Sequence, residues 1–182
     1  MRTFIAIELP HPTKEKISQV QQIFKECDLA FKWVKPENIH LTLKFLGNIK
    51  NEQLPEIKNI ITDVAKKNKS LKAQFTDFGF FPNEKRPRVF FIATSYQDLL
   101  KSIAQELEDK LETIGFEAEY RFKSHLTLAR IKSLENIDCL KEKSKEIKLT
   151  EEFSINEIIL FKSTLTPSGP IYEKIFTSPL AA

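Results

Sequence analysis

Glycine is scarce in this chain, four residues in 182. Walker phosphate loops and dinucleotide fingerprints need clustered glycines so that backbone N–H groups can reach phosphate, and four scattered glycines exclude both. Cysteine is scarcer still. Cys27 and Cys139 show no Cys-x2-Cys spacing, which argues against zinc ribbons and dithiol redox motifs. Both are expected as ordinary reduced thiols of a cytoplasmic protein. No apolar run approaches the ~18 residues of a membrane span. The opening Met1–Pro10 has too short an apolar stretch for a signal peptide, carries Glu8 within it, and reads as a first strand. The net charge of +3 is too small for a protein that coats nucleic acid by tracking its phosphates, though it permits a phosphate-bearing partner. Histidine occurs three times, at positions 11, 40 and 125.

What is present is the make-up of a soluble globular protein, 41% hydrophobic and 29% charged, with fifteen phenylalanines to fill a core. The length suits one domain of two small lobes. Residues 3–9 read as a strand. Pro10-His11-Pro12-Thr13 breaks it and leads to a helix over about 13–27, with His11 a solvated turn residue. Strand-like runs follow at 31–34, where Trp33 is expected as a core anchor, and at 40–47. Leu54, Ile57, Ile60, Ile61 and Val64 mark a helix over 52–67. Strands at 71–80 and 88–95 flank a basic tip, Lys85, Arg86 and Arg88, which reads either as a guide for RNA or as a solvated loop. The second half has a helix over 97–114 stopped by Gly115, strands at 116–121 and 125–131, a charged helix over 134–146, and strands at 149–154, 157–165 and 171–177. Many neighbouring strands have links so short that only antiparallel pairing allows them. The fold class is therefore α+β: a single unit over 1–182, of two pseudo-symmetric lobes of mostly antiparallel sheet, with helices outside and a central cleft.

Two of the three histidines head the same word. His40-Leu41-Thr42-Leu43 returns 85 positions later as His125-Leu126-Thr127-Leu128. On a half-buried strand the leucines face the core, and His and Thr, roughly 6.5 Å apart, share the other face. Lone His-x-Thr is common by chance. Two copies on strands with the same flanking leucines point to a site shared across one cleft.

A metal centre would want three or four convergent ligands, often closely spaced, and neither histidine has a carboxylate beside it in its strand. No nucleophile elbow is present for a serine or cysteine mechanism. Two imidazoles without metal or cofactor suit acid–base catalysis, because His titrates near pH ~6.5 and one ring can be neutral while the other is charged. One takes a proton from attacking water and the other protonates a leaving oxygen. Flanking a phosphorus in this way suits in-line phosphoryl chemistry. The Thr42 and Thr127 hydroxyls can donate to the non-bridging oxygens. Because the two motifs are alike, the residues alone leave open which histidine is acid and which is base. Lys44 shares strand parity with His40 and is expected as a solvated or cleft-edge charge, with phosphate contact as the alternative. Arg130 lies five residues from His125, so an ideal strand points it to the opposite face. Only a bulge or a strand end would bring it round.

At these residues the chain resembles the two-histidine phosphoesterases, and within them the RNA 2',3'-cyclic phosphodiesterases also called 2'-5' RNA ligases. The resemblance covers nearly the whole chain. It includes Arg2-Thr3-Phe4-Ile5-Ala6-Ile7, Trp33-Val34, His40-Leu41-Thr42-Leu43-Lys44-Phe45-Leu46-Gly47, Phe78-Gly79 and Arg86-Pro87-Arg88-Val89. It continues through His125-Leu126-Thr127-Leu128-Ala129-Arg130 and Ser163-Thr164-Leu165-Thr166-Pro167-Ser168-Gly169-Pro170-Ile171-Tyr172. It implies metal-independent, cofactor-free opening of an RNA-terminal 2',3'-cyclic phosphate to a 2'-phosphomonoester. His40 would be proton donor and His125 proton acceptor, with Thr42, Thr127 and Arg130 binding substrate. The implied partner is RNA or a nucleotide ending in a cyclic phosphate, bound by a monomer. The alternatives are 2'-5' ligation of tRNA halves, or a nucleotide- or RNA-binding module that keeps the cleft without turnover.

Overall fold

The computed structural model describes all 182 residues. In chain order the elements are β1 Arg2–Glu8, α1 His11–Lys25, β2 Phe31–Trp33, β3 His40–Asn48, α2 Leu54–Lys67, β4 Leu71–Phe81, β5 Val89–Thr94, α3 Gln97–Glu112, β6 His125–Ile131, α4 Ile137–Glu146, β7 Glu152–Ile155, β8 Glu157–Thr166 and β9 Gly169–Pro179. The strands form two antiparallel sheets. One has the order β3-β1-β8-β9 and the other β2-β6-β5-β4-β7. Every element expected from the sequence is found within a few residues, save one.

That exception is 116–121, expected as a strand. These residues join no ladder, because both edges of the adjacent strand β6 are already taken, by β2 and β5. Side chains hold the segment instead. The backbone N–H of Glu119 donates to Glu108 Oε2 at 3.0 Å. The lobes are also not the halves of the chain. β2 crosses to the second sheet, while β8 and β9 return from the C-terminus to complete the first. A cluster of 34 buried apolar residues runs beneath both sheets and takes side chains from all four helices. Leu41 and Leu43 of β3 and Leu126 and Leu128 of β6 belong to it, so each His-x-Thr word has its leucines anchored in one shared core. Half-buried Trp33 packs against the same cluster.

The thiols also depart from expectation. Cys27 and Cys139 form a disulfide, with Cα atoms 5.7 Å apart. Their 112-residue separation hides the fact that the end of α1 and the first turn of α4 pack together. An Asn136 Nδ2 to Asp28 carbonyl bond of 3.0 Å and a Lys143–Glu26 ion pair of 3.0 Å reinforce that contact. No helix is long and apolar enough to cross a membrane.

Candidate active site

β3 and β6, one from each sheet, approach within 8 Å, Cα to Cα. Each delivers its histidine at its first residue. His40 Nδ1 lies 2.6 Å from the carbonyl oxygen of Asn38, and His125 Nδ1 lies 2.6 Å from that of Lys123. A carbonyl can only accept, so in both rings Nδ1 carries the proton and donates. Nε2 is then left free with its lone pair. The two sites thus repeat the imidazole orientation as well as the motif. In each case the carbonyl belongs to the residue two before the histidine.

What lies under the rings differs. His40 stacks on Phe4 at 4.8 Å between centroids, with Tyr172 edge-on at 5.1 Å. Phe4, Ala6, Ile159 and Phe161 form a small buried cluster beneath this spot, with Tyr172 against it. His125 is bracketed by Phe81 at 4.8 Å and Phe91 at 5.4 Å, both edge-on. Lys123 lies over Phe91, its ammonium 5.2 Å from the ring centre. Phe91 comes so close to the backbone of β4 that a Cβ on Gly79 would sit 2.5 Å from its Cζ. Glycine is required there for space, not for turn geometry.

These apolar beds lower both imidazole pKa values. Burial pushes His40 down to about 4, partly opposed by the Asn38 carbonyl, with Lys14 adding to the drop and Glu8 opposing it. Burial also lowers His125, against the Lys123 carbonyl and with the Lys123 charge. Burial raises the Tyr172 hydroxyl, while the positive fields of Arg2 and Arg130 pull it back. Burial likewise pushes the Glu8 carboxyl up, but Lys174 and Lys14 outweigh it and hold the group below its usual value.

A bulge interrupts each histidine strand at the same point. Along β1–β3, Ala6 pairs with Thr42 but Ile5 pairs with Lys44, skipping Leu43. Along β5–β6, Phe91 pairs with Thr127 but Phe90 with Ala129, skipping Leu128. The second bulge supplies the turn that Arg130 needs. Leu128 and Ala129 are both buried, and Arg130 is exposed on the side of His125 and Thr127. Lys32 stands directly opposite Arg130 on β2. Neither side chain joins any ion pair, so two like charges adjoin with no carboxylate between them. That arrangement favours an anion.

The first bulge corrects the expectation for Lys44. It turns the side chain inward, where Nζ lies 2.7 Å from Glu108 Oε2 and donates to the Glu117 carbonyl at 2.6 Å. Lys44 is therefore a buried ion-pair partner that ties β3 to α3 and to the segment leading to His125, and it is not a cleft charge. Exposed His11 is at the first turn of α1, 3.9 Å from Glu15, and Lys85, Arg86 and Arg88 stay exposed in the β4–β5 loop.

Several contributors have no signature in the sequence. Asn38 uses its side chain to donate to the Pro170 carbonyl at 2.9 Å, which anchors the β8–β9 hairpin beside His40. Gln21 of α1, buried, donates to the carbonyls of Val34 at 2.9 Å and Leu128 at 3.1 Å. The latter belongs to the bulge residue. A cavity of about 290 Å³ opens next to His40, walled by Phe161, Ile171 and Tyr172 and by charged groups that include Lys35 and Lys174. No group of three or more His, Cys, Asp or Glu side chains gathers in a metal-binding arrangement.

A family model described as LigT-like phosphoesterase matches the chain twice, over residues 7–91 and 90–172. Each match spans one of the two His-x-Thr strands. The chain is 39% identical over 177 residues to the RNA 2',3'-cyclic phosphodiesterase of Methanocaldococcus jannaschii, covering 96% of this chain and 98% of that one. It is 31% identical over 177 residues to the protein of the same name from Thermotoga maritima, covering 97% and 94%. Among solved structures, one from Thermus thermophilus superposes with a TM-score of 0.82 at 28% identity, covering 99% of this chain and 98% of the other.

Proposed function

Because the chain belongs to the LigT-like phosphoesterase family, we propose that it hydrolyses RNA-terminal 2',3'-cyclic phosphate to a 2'-phosphomonoester by paired-histidine acid–base catalysis, without a metal, within one two-lobed unit spanning 1–182. The observation that carries this reading is the matched pair of imidazoles. Each is pinned at Nδ1 by a carbonyl 2.6 Å away and free at Nε2, on strands that approach within 8 Å.

Water attacks phosphorus and gives its proton to neutral His125 Nε2. The bond from phosphorus to the ribose 3'-oxygen breaks, and that oxygen takes the Nε2 proton of His40. The products are a 2'-phosphate and a 3'-hydroxyl. His40 ends neutral and His125 charged, and exchange with solvent resets the pair. Thr42 and Thr127 donate to the non-bridging oxygens, and Arg130 adds a charge-assisted contact. The apolar beds explain why the site waits for its ligand. In the free protein both rings favour the neutral form. An entering phosphate anion draws a proton onto one of them.

The cavity beside His40 supports its assignment as the acid, since it leaves room for a ribose on that side and hence for the leaving oxygen. The test is hydrolysis of an oligoribonucleotide with a defined 2',3'-cyclic end. The expected product carries only a 2'-phosphate, with the rate unchanged by chelator. A 3'-phosphate product, or loss of activity in chelator with recovery on adding zinc, overturns the scheme.

A further inference from the structure

The β5–β6 ladder closes at the pair Ala93–His125. One residue further along, a side chain takes the place of the ladder. Gln97, the first residue of α3, bonds to both Thr94 and Ser124. Its Nε2 donates to the Thr94 carbonyl at 2.7 Å and to the Ser124 carbonyl at 2.8 Å, and its Oε1 accepts the Ser124 N–H at 3.0 Å. That N–H and the Lys123 carbonyl belong to one planar peptide group. The unit that accepts from His125 Nδ1 at 2.6 Å is therefore held on its other side by Gln97. Because the peptide is flat, fixing its N–H also aims its C=O.

His40 is set differently. The Asn38–Ile39 peptide accepts from His40 Nδ1, and its N–H donates to the Pro36 carbonyl at 3.2 Å, within the tight turn Pro36–Asn38. Main chain alone fixes that imidazole, whereas the orientation of His125 depends on a side chain from another element. The turn that delivers Gln97 is also unusual. Tyr96 has a φ of 57°, a left-handed conformation that bulky residues rarely adopt. Its ring is exposed, so burial of Tyr96 does not account for the conformation.

We infer that Gln97 is a positioning residue for the hydrolytic step. Acting through the Lys123–Ser124 peptide, it keeps the His125 proton on Nδ1 and the lone pair on Nε2, where attacking water gives up its proton. The inference rests on the phosphodiesterase reading. Hydrogen bonds in a chain polarise one another, so an N–H that donates to Gln97 makes the carbonyl of the same peptide a stronger acceptor. The bond to Nδ1 is thus both aimed and reinforced. Without Gln97 the peptide is free to tilt. The ring can then take its other tautomer, with the proton on Nε2 and no lone pair for the water. Gln97 acts on the base and not on the bound substrate, so its loss falls on kcat and not on KM.

The experiment compares the full-length protein with Gln97→Met, Gln97→Asn and Thr94→Val. Gln97→Met removes all three bonds. Gln97→Asn is a milder change that stays polar but is one methylene short of Ser124. Thr94→Val removes the buried hydroxyl contact between Thr94 and Ser124 and leaves the Lys123–Ser124 peptide held. On adenosine 2',3'-cyclic phosphate, each Gln97 variant lowers kcat about 10- to 100-fold with KM within about twofold. Thr94→Val keeps kcat within about twofold, whatever its urea midpoint. Nitrogen-15 NMR of histidine-labelled protein reads the tautomer directly. The chain has three histidines, and His40→Gln and His125→Gln assign the signals. Neutral His125 carries its proton on Nδ1 in the wild type and shifts toward Nε2 in the Gln97 variants, while His40 does not change. An unchanged kcat in a folded Gln97 variant, an equal loss in Thr94→Val, or a His125 tautomer that does not respond overturns the inference. If the wild type turns over no cyclic phosphate, the phosphodiesterase reading fails. The NMR comparison then still decides whether Gln97 sets the imidazole: a shift confined to His125 supports it, and no shift rejects it.

Discussion

An imidazole that must hold its orientation and also pass a proton uses one nitrogen for each task. In both histidines here Nδ1 is spent on a carbonyl and Nε2 is free. His40→Ala and His125→Ala are each expected to lower kcat by about 10²–10⁴, the usual worth of one proton transfer, with unfolding transitions that remain cooperative. The double variant should fall little further than either single, because a transfer chain with one member missing is already broken. The pH profile of kcat/KM follows from the free protein. With His40 brought down to about 4 and His125 also lowered by burial, both rings are neutral above pH ~6.5 and the acid is lost. On the acid side, protonation of His125, whose pKa burial lowers, removes the base. The maximum should lie on the acid side of 6.5, with an alkaline limb falling about tenfold per pH unit. An optimum above pH 7.5 would contradict this. The motif itself was plain in the sequence, since period-2 alternation gives the His–Thr face directly. The carbonyls of Asn38 and Lys123 were not, because backbone orientation leaves no mark in residue type.

At the scale of the element, the paired bulges decide which side chains reach the site. Parity along an ideal strand sends Lys44 to the cleft and Arg130 away from it. One skipped residue in each strand reverses both. A bulge depends on what receives its extra backbone groups. The Leu128 carbonyl accepts from the Val34 N–H at 2.9 Å and from Gln21 of α1, a helix more than 100 residues earlier. No local pattern encodes that partnership. Gln21→Met should cost about 1–3 kcal/mol through the lost buried bonds. It should also weaken phosphate binding more than Lys16→Met does, as read by denaturant titration and phosphate affinity. β4 offers a second test. Gly79→Ala forces Phe91, whose ring lies 5.4 Å from that of His125, out of its place and should lower kcat/KM about tenfold. Gly79→Ala/Phe91→Leu should recover most of the loss. Recovery without the second change would show that the ring yields freely. The missing strand at 116–121 has the same origin as the bulges: alternation marks a segment fit to pair, but not whether a neighbour has a free edge.

For the molecule as a whole, the same burial that prepares the histidines ties stability to pH. A lowered folded-state pKa means the unfolded chain takes up the proton first. The contribution of His40 to stability is complete above pH ~6.5 and disappears as pH falls through about 4. Urea midpoints should decline across that window, and less so in a His40→Gln/His125→Gln double variant. The Cys27–Cys139 bond spans 112 residues, a long loop that on a chain-entropy view contributes roughly 2–5 kcal/mol. Reduction should therefore lower Tm by several degrees or more without altering kcat, since neither cysteine is among the hydrogen-bond or ring partners of either imidazole.

The reaction scheme makes its sharpest distinction between the two rings at the leaving oxygen. A substrate carrying sulfur in place of the bridging 3'-oxygen departs as a thiolate and needs no proton. With that substrate His40→Ala should return to within about tenfold of the wild-type rate, while His125→Ala remains as impaired as on the oxygen substrate. Recovery of both variants, or of neither, would contradict two imidazoles dividing acid and base around one phosphorus.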